Sequence, residues 1–189
     1  MDELTFWSLI EQIRHEALDD GDKQVELLFQ ALVQLTKDEI LAFYRIMNQQ
    51  MNLSKTAELW NAASIITCGC SDDGFLDFRA WLIGQGKNMF EMVLKDPESL
   101  VDIVKYPKST RNGDIYYAIM RAYSYKTSET RPPLSKISVP LMHKEKLTDN
   151  DNILKKEFPK LYEKFGDCKE LLDDLALSDE NGISQRNAE

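Results

Sequence analysis

Two adjacent carboxylates, Asp72 and Asp73, stand where the sequence is densest in groups that could do chemistry. They follow Ser71, precede Gly74 and lie shortly before Arg79 in an otherwise apolar stretch. Neighbouring carboxylates can bind a cation or share a proton, and an arginine can hold an anion. The segment Ser71-Asp72-Asp73-Gly74, called the corner below, is therefore the first place to look for a ligand site.

The corner also has a structural interpretation. Ser71 or Asp72 can cap a helix that begins near Phe75, and carboxylates at that end favour the positive pole of the helix. Asp72 or Asp73 can also pair with Arg79, since a charged residue in an apolar helix is rarely buried without a partner. We find no histidine or third acid at metal-ligand spacing, so the structural interpretation is favoured and the functional one stays open.

Large aromatic residues flank the corner on both sides. Trp60 lies on the preceding predicted helix and Trp81 on the following one. They could wall a pocket whose polar anchors are Asp72, Asp73 and Arg79, and these five residues are our ligand-binding candidates. Tryptophans at helical spacing more often belong to a core, so packing is the competing role for both.

The cysteines and glycines do not assemble a known reaction centre. Cys68-Gly69-Cys70 is one residue short of a zinc knuckle and has no second ligand pair, so we predict no metal site. A thiolate nucleophile needs an adjacent base, and the two histidines, His15 and His143, are remote in sequence. A reactive thiol at Cys70 stays open. The glycines on either side of Gln85 lack the preceding strand of a nucleotide-binding loop, so we predict no cofactor and no catalytic residue.

The formal charge of −9 is unevenly distributed. Residues 167–189 carry seven acidic and two basic side chains, a net of −5, which leaves −4 on the rest. Acidic surface disfavours nucleic acid, whose phosphates need basic contacts, and suits a basic protein partner. The apolar runs are too short for a membrane span, the N-terminus does not resemble a secretory signal, and the odd cysteine count indicates free thiols. We expect a cytoplasmic protein with a protein partner and without a membrane.

Apolar residues recur at helical spacing, and no convincing strand is present. The expected N-caps are Thr5, Asp22 and Ser54, and Thr36 forms a capping box with Glu39. The pattern predicts helices at residues 6–18 and 23–35, a third that starts at the Thr36 capping box and carries apolar residues as far as Met51, and a fourth from Ser54 to an end at Cys68-Gly69. Further helices are predicted at residues 75–83, 87–95 and 114–123, with a restart at Asp96-Pro97 and two short helices on either side of Pro159.

These elements predict an all-α fold. We expect one compact multi-helix domain over residues 1–166, and an acidic, flexible tail over residues 167–189. Prolines interrupt the periodicity from Lys126 to Asp149, which predicts a Pro-rich excursion from the helical domain.

Several ordered motifs resemble those of a known family. They are Phe-Trp-Ser-Leu-Ile at residues 6–10, Leu-Trp-Asn-Ala-Ala at 59–63, Ser-Asp-Asp-Gly-Phe at 71–75 with Phe-Arg-Ala-Trp-Leu-Ile at 78–83, Asp-Pro-Glu-Ser-Leu at 96–100 and Phe-Pro-Lys-Leu at 158–161. Over residues 5–166 the chain is similar to an uncharacterised bacterial family catalogued as a domain of unknown function. The resemblance implies a bacterial, mostly helical domain and carries no activity.

The sequence favours a noncatalytic protein-binding module over an enzyme. Its most concrete version is an immunity or antitoxin-like inhibitor of a basic toxin, because such an inhibitor needs acids and aromatics on one face rather than a reaction centre. The alternative is an enzyme or small-ligand binder with its pocket at the corner. That alternative predicts that Asp72, Asp73 and Arg79 converge on a concave space that solvent can reach.

Overall fold

The computed structural model describes residues 1–110, 113–130, 132–133 and 147–167. Over these ranges the chain forms ten α-helices and no strand, which confirms the all-α prediction. The helices are α1 (Glu3–Ala17), α2 (Gly21–Val33), α3 (Lys37–Leu53), α4 (Ala57–Thr67), α5 (Asp72–Gly84), α6 (Lys87–Lys95), α7 (Leu100–Ile103), α8 (Asp114–Thr127), α9 (Asp151–Glu157) and α10 (Pro159–Phe165). Two 3₁₀ segments, Pro97–Ser99 and Pro107–Thr110, flank α7.

The first two helices begin earlier than predicted because acidic residues cap them. Asp2, not Thr5, caps α1, and its carboxylate accepts from the Thr5 backbone N–H at 2.8 Å. Asp20, not Asp22, caps α2 and accepts from the backbone N–H of Lys23 at 3.0 Å. In both helices the cap lies three residues before the N–H that it satisfies, as an aspartate N-cap does. The predicted capping box at the start of α3 is confirmed.

Ser54 was predicted to start a helix, and that prediction is wrong. Ser54 is fully buried at the end of α3, and its hydroxyl donates to the carbonyl oxygens of Gln50 at 2.9 Å and Met51 at 3.2 Å. Thr56 caps α4 instead, accepting from the Leu59 backbone N–H at 3.1 Å. A serine hydroxyl can satisfy carbonyls at a helix end as well as an amide at a helix start, and the sequence does not distinguish the two.

Helix α8 lies at the centre of the packing, against α2, α3 and α5. Its inward face is apolar and buried, and consists of Ile115, Ala118, Ile119, Ala122 and Tyr123. The end of α5 comes so close that a Cβ on Gly84 would lie 2.6 Å from the Cδ1 of Ile115. The buried amide of Gln24 on α2 donates to the Gly84 carbonyl at 2.8 Å, so α2, α5 and α8 meet at this glycine.

Arg79 ties α5 to the end of α3 from inside the core. It is 8% exposed, and its Nη1 donates to the Met51 carbonyl at 2.6 Å while its Nε donates to the Phe75 carbonyl at 3.2 Å. Of the possibilities that the sequence left open, the pairing of Arg79 with Asp72 or Asp73 is therefore not the one that forms. The last carbonyls of a helix have no partner within the helix, and the guanidinium meets one of these. Burial lowers the pKa of Arg79 to about 10, which leaves it charged at neutral pH.

The two segments predicted to leave the helical domain are only partly described. Helix α8 continues to Thr127, so the Pro-rich excursion predicted from Lys126 begins inside a helix. Residues 131 and 134–146 of that excursion, and residues 168–189 of the predicted tail, lie outside the described residues. Of the helices that the structure describes, none is long and apolar enough to cross a membrane.

Replacing Arg79 with methionine should lower the free energy of unfolding by about 2 kcal/mol, because the Met51 carbonyl loses its charged donor while side-chain volume is kept. Arg45→Met is the matched control, since Arg45 is exposed and donates to the Leu41 carbonyl of its own helix. That control should change stability by less than about 0.5 kcal/mol. Urea unfolding of both variants measures this, and equal stability of Arg79→Met and the parent chain would contradict the bracing role.

Candidate functional site

The corner is a helix start that faces solvent. The Ser71 hydroxyl caps α5 by accepting from the Gly74 backbone N–H at 3.0 Å. Asp72 and Asp73 lie exposed in the first turn, and neither carboxylate bonds to a residue within the described ranges. At this end of a helix their charge interacts favourably with the helix dipole. These contacts fit the capping interpretation of Ser71.

The other three candidate residues lie apart from those carboxylates. Arg79 is turned into the core, where its guanidinium lies 4.7 Å from the centre of the Phe75 ring. Trp60 is half-buried and packs on the same ring, at 4.8 Å between ring centroids. Trp81 is 5% exposed and lines a cleft beyond the other end of α5. The structure therefore brings Arg79 and Trp60 together through Phe75, and it does not bring the three polar side chains onto one open space.

That cleft consists of two adjoining cavities of about 540 and 600 Å³ at the C-terminal end of α1. Its walls come from the end of α1 with the α1–α2 turn and the start of α2, from the end of α5 with the start of α6, and from α7 with the residues that follow it and the start of α8. Both volumes lie in the range of ligand-binding pockets. Four residues line both cavities: Arg14, Asp19, Gln85 and Met89.

The backbone at the mouth of the cleft is strained. Leu18 and Asp19 have φ values of 56° and 65°, in the left-handed region that glycine usually occupies at a helix end. Leu18 is also 79% exposed, so packing of its side chain in the core does not offset the free-energy cost of the left-handed backbone. Left-handed caps without glycine also occur at Cys68 and Ser128, but of these Leu18 alone is a large apolar residue. Strained backbone of this kind is enriched at functional sites.

The cleft is lined by more acids than bases. Six acidic side chains (Glu11, Asp19, Asp20, Asp22, Asp102, Asp114) and three basic ones (Arg14, Lys105, Lys108) contribute a net charge of −3. An ion pair of 2.8 Å between Lys105 and Asp19 joins the α1–α2 turn to the segment after α7. The hydrogen bond and the charge of Lys105 hold the pKa of Asp19 below its usual value.

Arg14 is the unusual group in the cleft. Its Nε is completely buried and has no acceptor among the residues that the structure describes. A buried donor without an acceptor costs about 1–3 kcal/mol, so such groups are rare in folded proteins. The positive charge of Arg14 contributes to the lowered pKa of Asp19, but Asp19 itself pairs with Lys105.

The remaining candidates for chemistry are dispersed. Cys68 and Cys70 lie between α4 and α5 and form no disulfide bond within the described residues, and Cys168 lies outside those residues. His15 lines the cleft, whereas His143 is also outside the described part of the chain. Within that part, no three His, Cys, Asp or Glu side chains are grouped so that they could hold a metal ion.

The cleft was not predicted from the sequence. Its acidic run, Asp19-Asp20-Gly21-Asp22, has the composition of a turn, and its basic residues Lys105 and Lys108 lie far from that run along the chain. One local feature could have pointed to the site: a leucine, rather than a glycine, precedes that acidic run at the end of a helix.

The chain belongs to the family described as protein of unknown function (DUF4240), whose model matches residues 1–125. This confirms the resemblance to an uncharacterised domain family, and the matched region contains every residue that lines the cleft. Comparison with curated proteins and with solved structures finds no match to either.

Replacing Lys105 with methionine should raise the pKa of the Asp19 carboxyl toward its ordinary value of about 3.9, because the main cause of its lowering is removed. A carboxyl whose pKa is lowered by folding stabilises the fold above its unfolded pKa, and this contribution disappears as the pH falls through the folded pKa. Carbon-detected NMR titration measures the pKa directly. Lys108→Met is the control and should leave it unchanged; an unchanged pKa in Lys105→Met would show that the ion pair does not form in solution.

Proposed function

We propose that this DUF4240 protein is a noncatalytic protein-binding module that receives a basic partner at the cleft. The observation that carries the proposal is Leu18, an exposed leucine held in left-handed backbone at the mouth of the cleft. Glycine would satisfy the helix end at lower cost, so the apolar side chain has a use other than stability of the free chain. Contact with a partner is such a use.

The charge of the chain supports a basic partner. Residues 1–35, which include α1 and α2, carry eight acidic and two basic side chains, a net of −6. Residues 36–166 carry 17 acidic and 19 basic side chains, a net of +2. The negative potential of the helical part is therefore centred on α1 and α2, which form one wall of the cleft. Such a field speeds encounter with a basic surface and disfavours acidic ones.

Exposed apolar groups within the acidic surroundings supply anchors for binding. Leu18 lines one cavity, and Tyr106, which is 72% exposed, lines the other. A large apolar or aromatic side chain within a polar rim is the usual composition of a binding hot spot. The two side chains thus provide one apolar contact for each half of the cleft.

The finer form of the proposal is an immunity or antitoxin-like inhibitor of a basic toxin in the bacterial cytoplasm. A basic toxin carries the charge that complements α1 and α2, and inhibition by occlusion requires a surface rather than a reaction centre. Cys68 and Cys70 form no disulfide bond within the described residues, which is in keeping with a reducing compartment. The division into a helical domain over residues 1–166 and an acidic tail over 167–189 belongs to the same proposal.

The alternative, an enzyme or small-ligand binder at the corner, has weaker support. It requires that Asp72, Asp73 and Arg79 line one cavity that is open to solvent. Arg79 instead donates hydrogen bonds to the Met51 and Phe75 carbonyls inside the core. Among the described residues, the acids of the corner then have no basic partner to complete a polar site. We favour the cleft over the corner for this reason.

The test is copurification of the tagged full chain from its native host with two matched triple variants. Asp22→Asn, Asp102→Asn and Asp114→Asn neutralise the cleft, whereas the controls Asp38→Asn, Asp72→Asn and Asp73→Asn neutralise exposed helix-start acids elsewhere. We expect a stoichiometric basic protein with the parent chain and the control, and at least a tenfold loss of affinity, about 1.4 kcal/mol, in the cleft variant. Failure to recover any stoichiometric partner, or equal loss in both variants, would refute the proposal.

Replacing Leu18 with glycine should raise the free energy of unfolding by about 0.5–1 kcal/mol and weaken partner binding, because it relieves backbone strain and removes an apolar anchor. Leu4→Gly is the control, since Leu4 is 73% exposed within α1. It should lower stability by about 1 kcal/mol and leave binding unchanged. Thermal unfolding measures the stability of each variant, and a binding titration measures its affinity for the partner. If Leu18→Gly binds as tightly as the parent chain, Leu18 does not contact the partner.

A further inference from the structure

Arg14 in the last turn of α1 lies where the two cavities meet, and it lines both. Its guanidinium makes no hydrogen bond or ion pair with any residue inside the described ranges, and its Nε is buried without an acceptor. Asp19, the acid whose pKa the charge of Arg14 helps to lower, is engaged by Lys105 at 2.8 Å. The free chain therefore holds an arginine in the cleft with a buried Nε–H that no described residue accepts.

Such a group is suited to a carboxylate. The planar guanidinium offers parallel N–H donors that match the two oxygens of a carboxylate, and such bidentate bonds are strong in partly buried sites. The Nε–H is covered in the free chain, so a ligand carboxylate meets both donors only when the guanidinium turns toward the cleft. Binding thus satisfies a donor that the free chain leaves unpaired.

A ligand that carries only negative charge does not fit the same cleft. The lining residues have a net charge of −3, which repels an isolated anion. Three of the acids, Asp22, Asp102 and Asp114, line the cavity of about 600 Å³. They form no ion pair with any residue that the structure describes. A cationic group beside them offsets the repulsion, so the cleft suits a ligand with both charges.

We infer that the cleft binds the C-terminal residue of a basic partner. The partner's C-terminal carboxylate binds Arg14, and the lysine or arginine side chain of the same residue binds Asp22, Asp102 and Asp114. This inference rests on the proposed function and specifies which part of the partner binds in the cleft. Cavities of about 540 and 600 Å³ are large enough for one or two residues and too small for a helix. A residue at the end of a chain brings a carboxylate and a cationic side chain into a space of that size.

Three small probes separate the two charges. All three probes are acetylated at Nα: acetyl-lysine has the carboxylate and the side-chain ammonium group, acetyl-lysinamide lacks the carboxylate, and acetyl-norleucine lacks the ammonium group. Titration of the full chain with each probe, followed by ¹H–¹⁵N NMR including the Arg14 Nε–H resonance, gives the dissociation constants. We expect acetyl-lysine to bind at least tenfold more tightly than either of the other probes.

Arg14→Gln should reduce the preference for acetyl-lysine over acetyl-lysinamide to less than twofold and retain the preference over acetyl-norleucine. Since Arg14 bonds to no described residue, this change removes no bond there and the variant should unfold at the same temperature as the parent or higher. Arg14→Lys keeps the charge without the planar fork and should give an intermediate preference. Arg45→Gln, an exposed change on α3, should leave all three constants unchanged.

The outcomes distinguish this inference from the proposed function. If acetyl-lysinamide binds as tightly as acetyl-lysine, if Arg14→Gln keeps the tenfold preference, or if no probe binds at millimolar concentration, the inference is overturned, whether or not a partner copurifies. If the preference depends on Arg14 but no partner is recovered, the inferred carboxylate site stands and the proposed protein-binding function fails.

Discussion

The contact between the Arg79 guanidinium and the Met51 carbonyl is the constraint on which the arrangement of α3, α4 and α5 depends. Gln50 and Met51 in the last turn of α3 are buried residues, so the protein must supply donors for their carbonyls. Arg79 provides one at 2.6 Å, and the buried Ser54 hydroxyl bonds to the carbonyls of Met51 and Gln50. The guanidinium also lies over Phe75, which packs on Trp60 of α4. Arg79 thus connects α5 to α3 directly and to α4 through the Phe75 ring.

The two halves of α5 have different roles, and the contacts that hold its N-terminal half in the core also position its C-terminal half. Helix α5 has 13 residues and is therefore roughly 20 Å long, so the corner at its start and the cleft at its end are well separated. Its C-terminal half carries Trp81 to the cleft and brings Gly84 against Ile115 and Gln24. At the start of α5, Ser71 caps the helix and the two aspartates face solvent. The end of the helix forms a wall of the cleft. The same helix serves as a brace and as a site wall.

Local features could be predicted from the sequence, because caps and periodicity depend on residues within one or two turns of each other. The capping box at Thr36 and Glu39 and the helix Lys87–Lys95 follow from such patterns. The partner of Arg79 could not be predicted, because it is a backbone carbonyl, which every residue possesses. The cleft could not either: the ion pair across it joins Asp19 and Lys105, which are 86 residues apart, and only the packed fold brings them together.

The central claim is that partners meet the cleft and that the corner serves the fold. Hydrogen–deuterium exchange of the full chain, alone and with its copurified partner, tests this claim most directly, since a bound partner protects the backbone amides that it covers. The account predicts added protection at residues 14–22 and 102–109, with residues 71–76 unchanged. Protection confined to residues 71–76, with no change at the cleft, would contradict it.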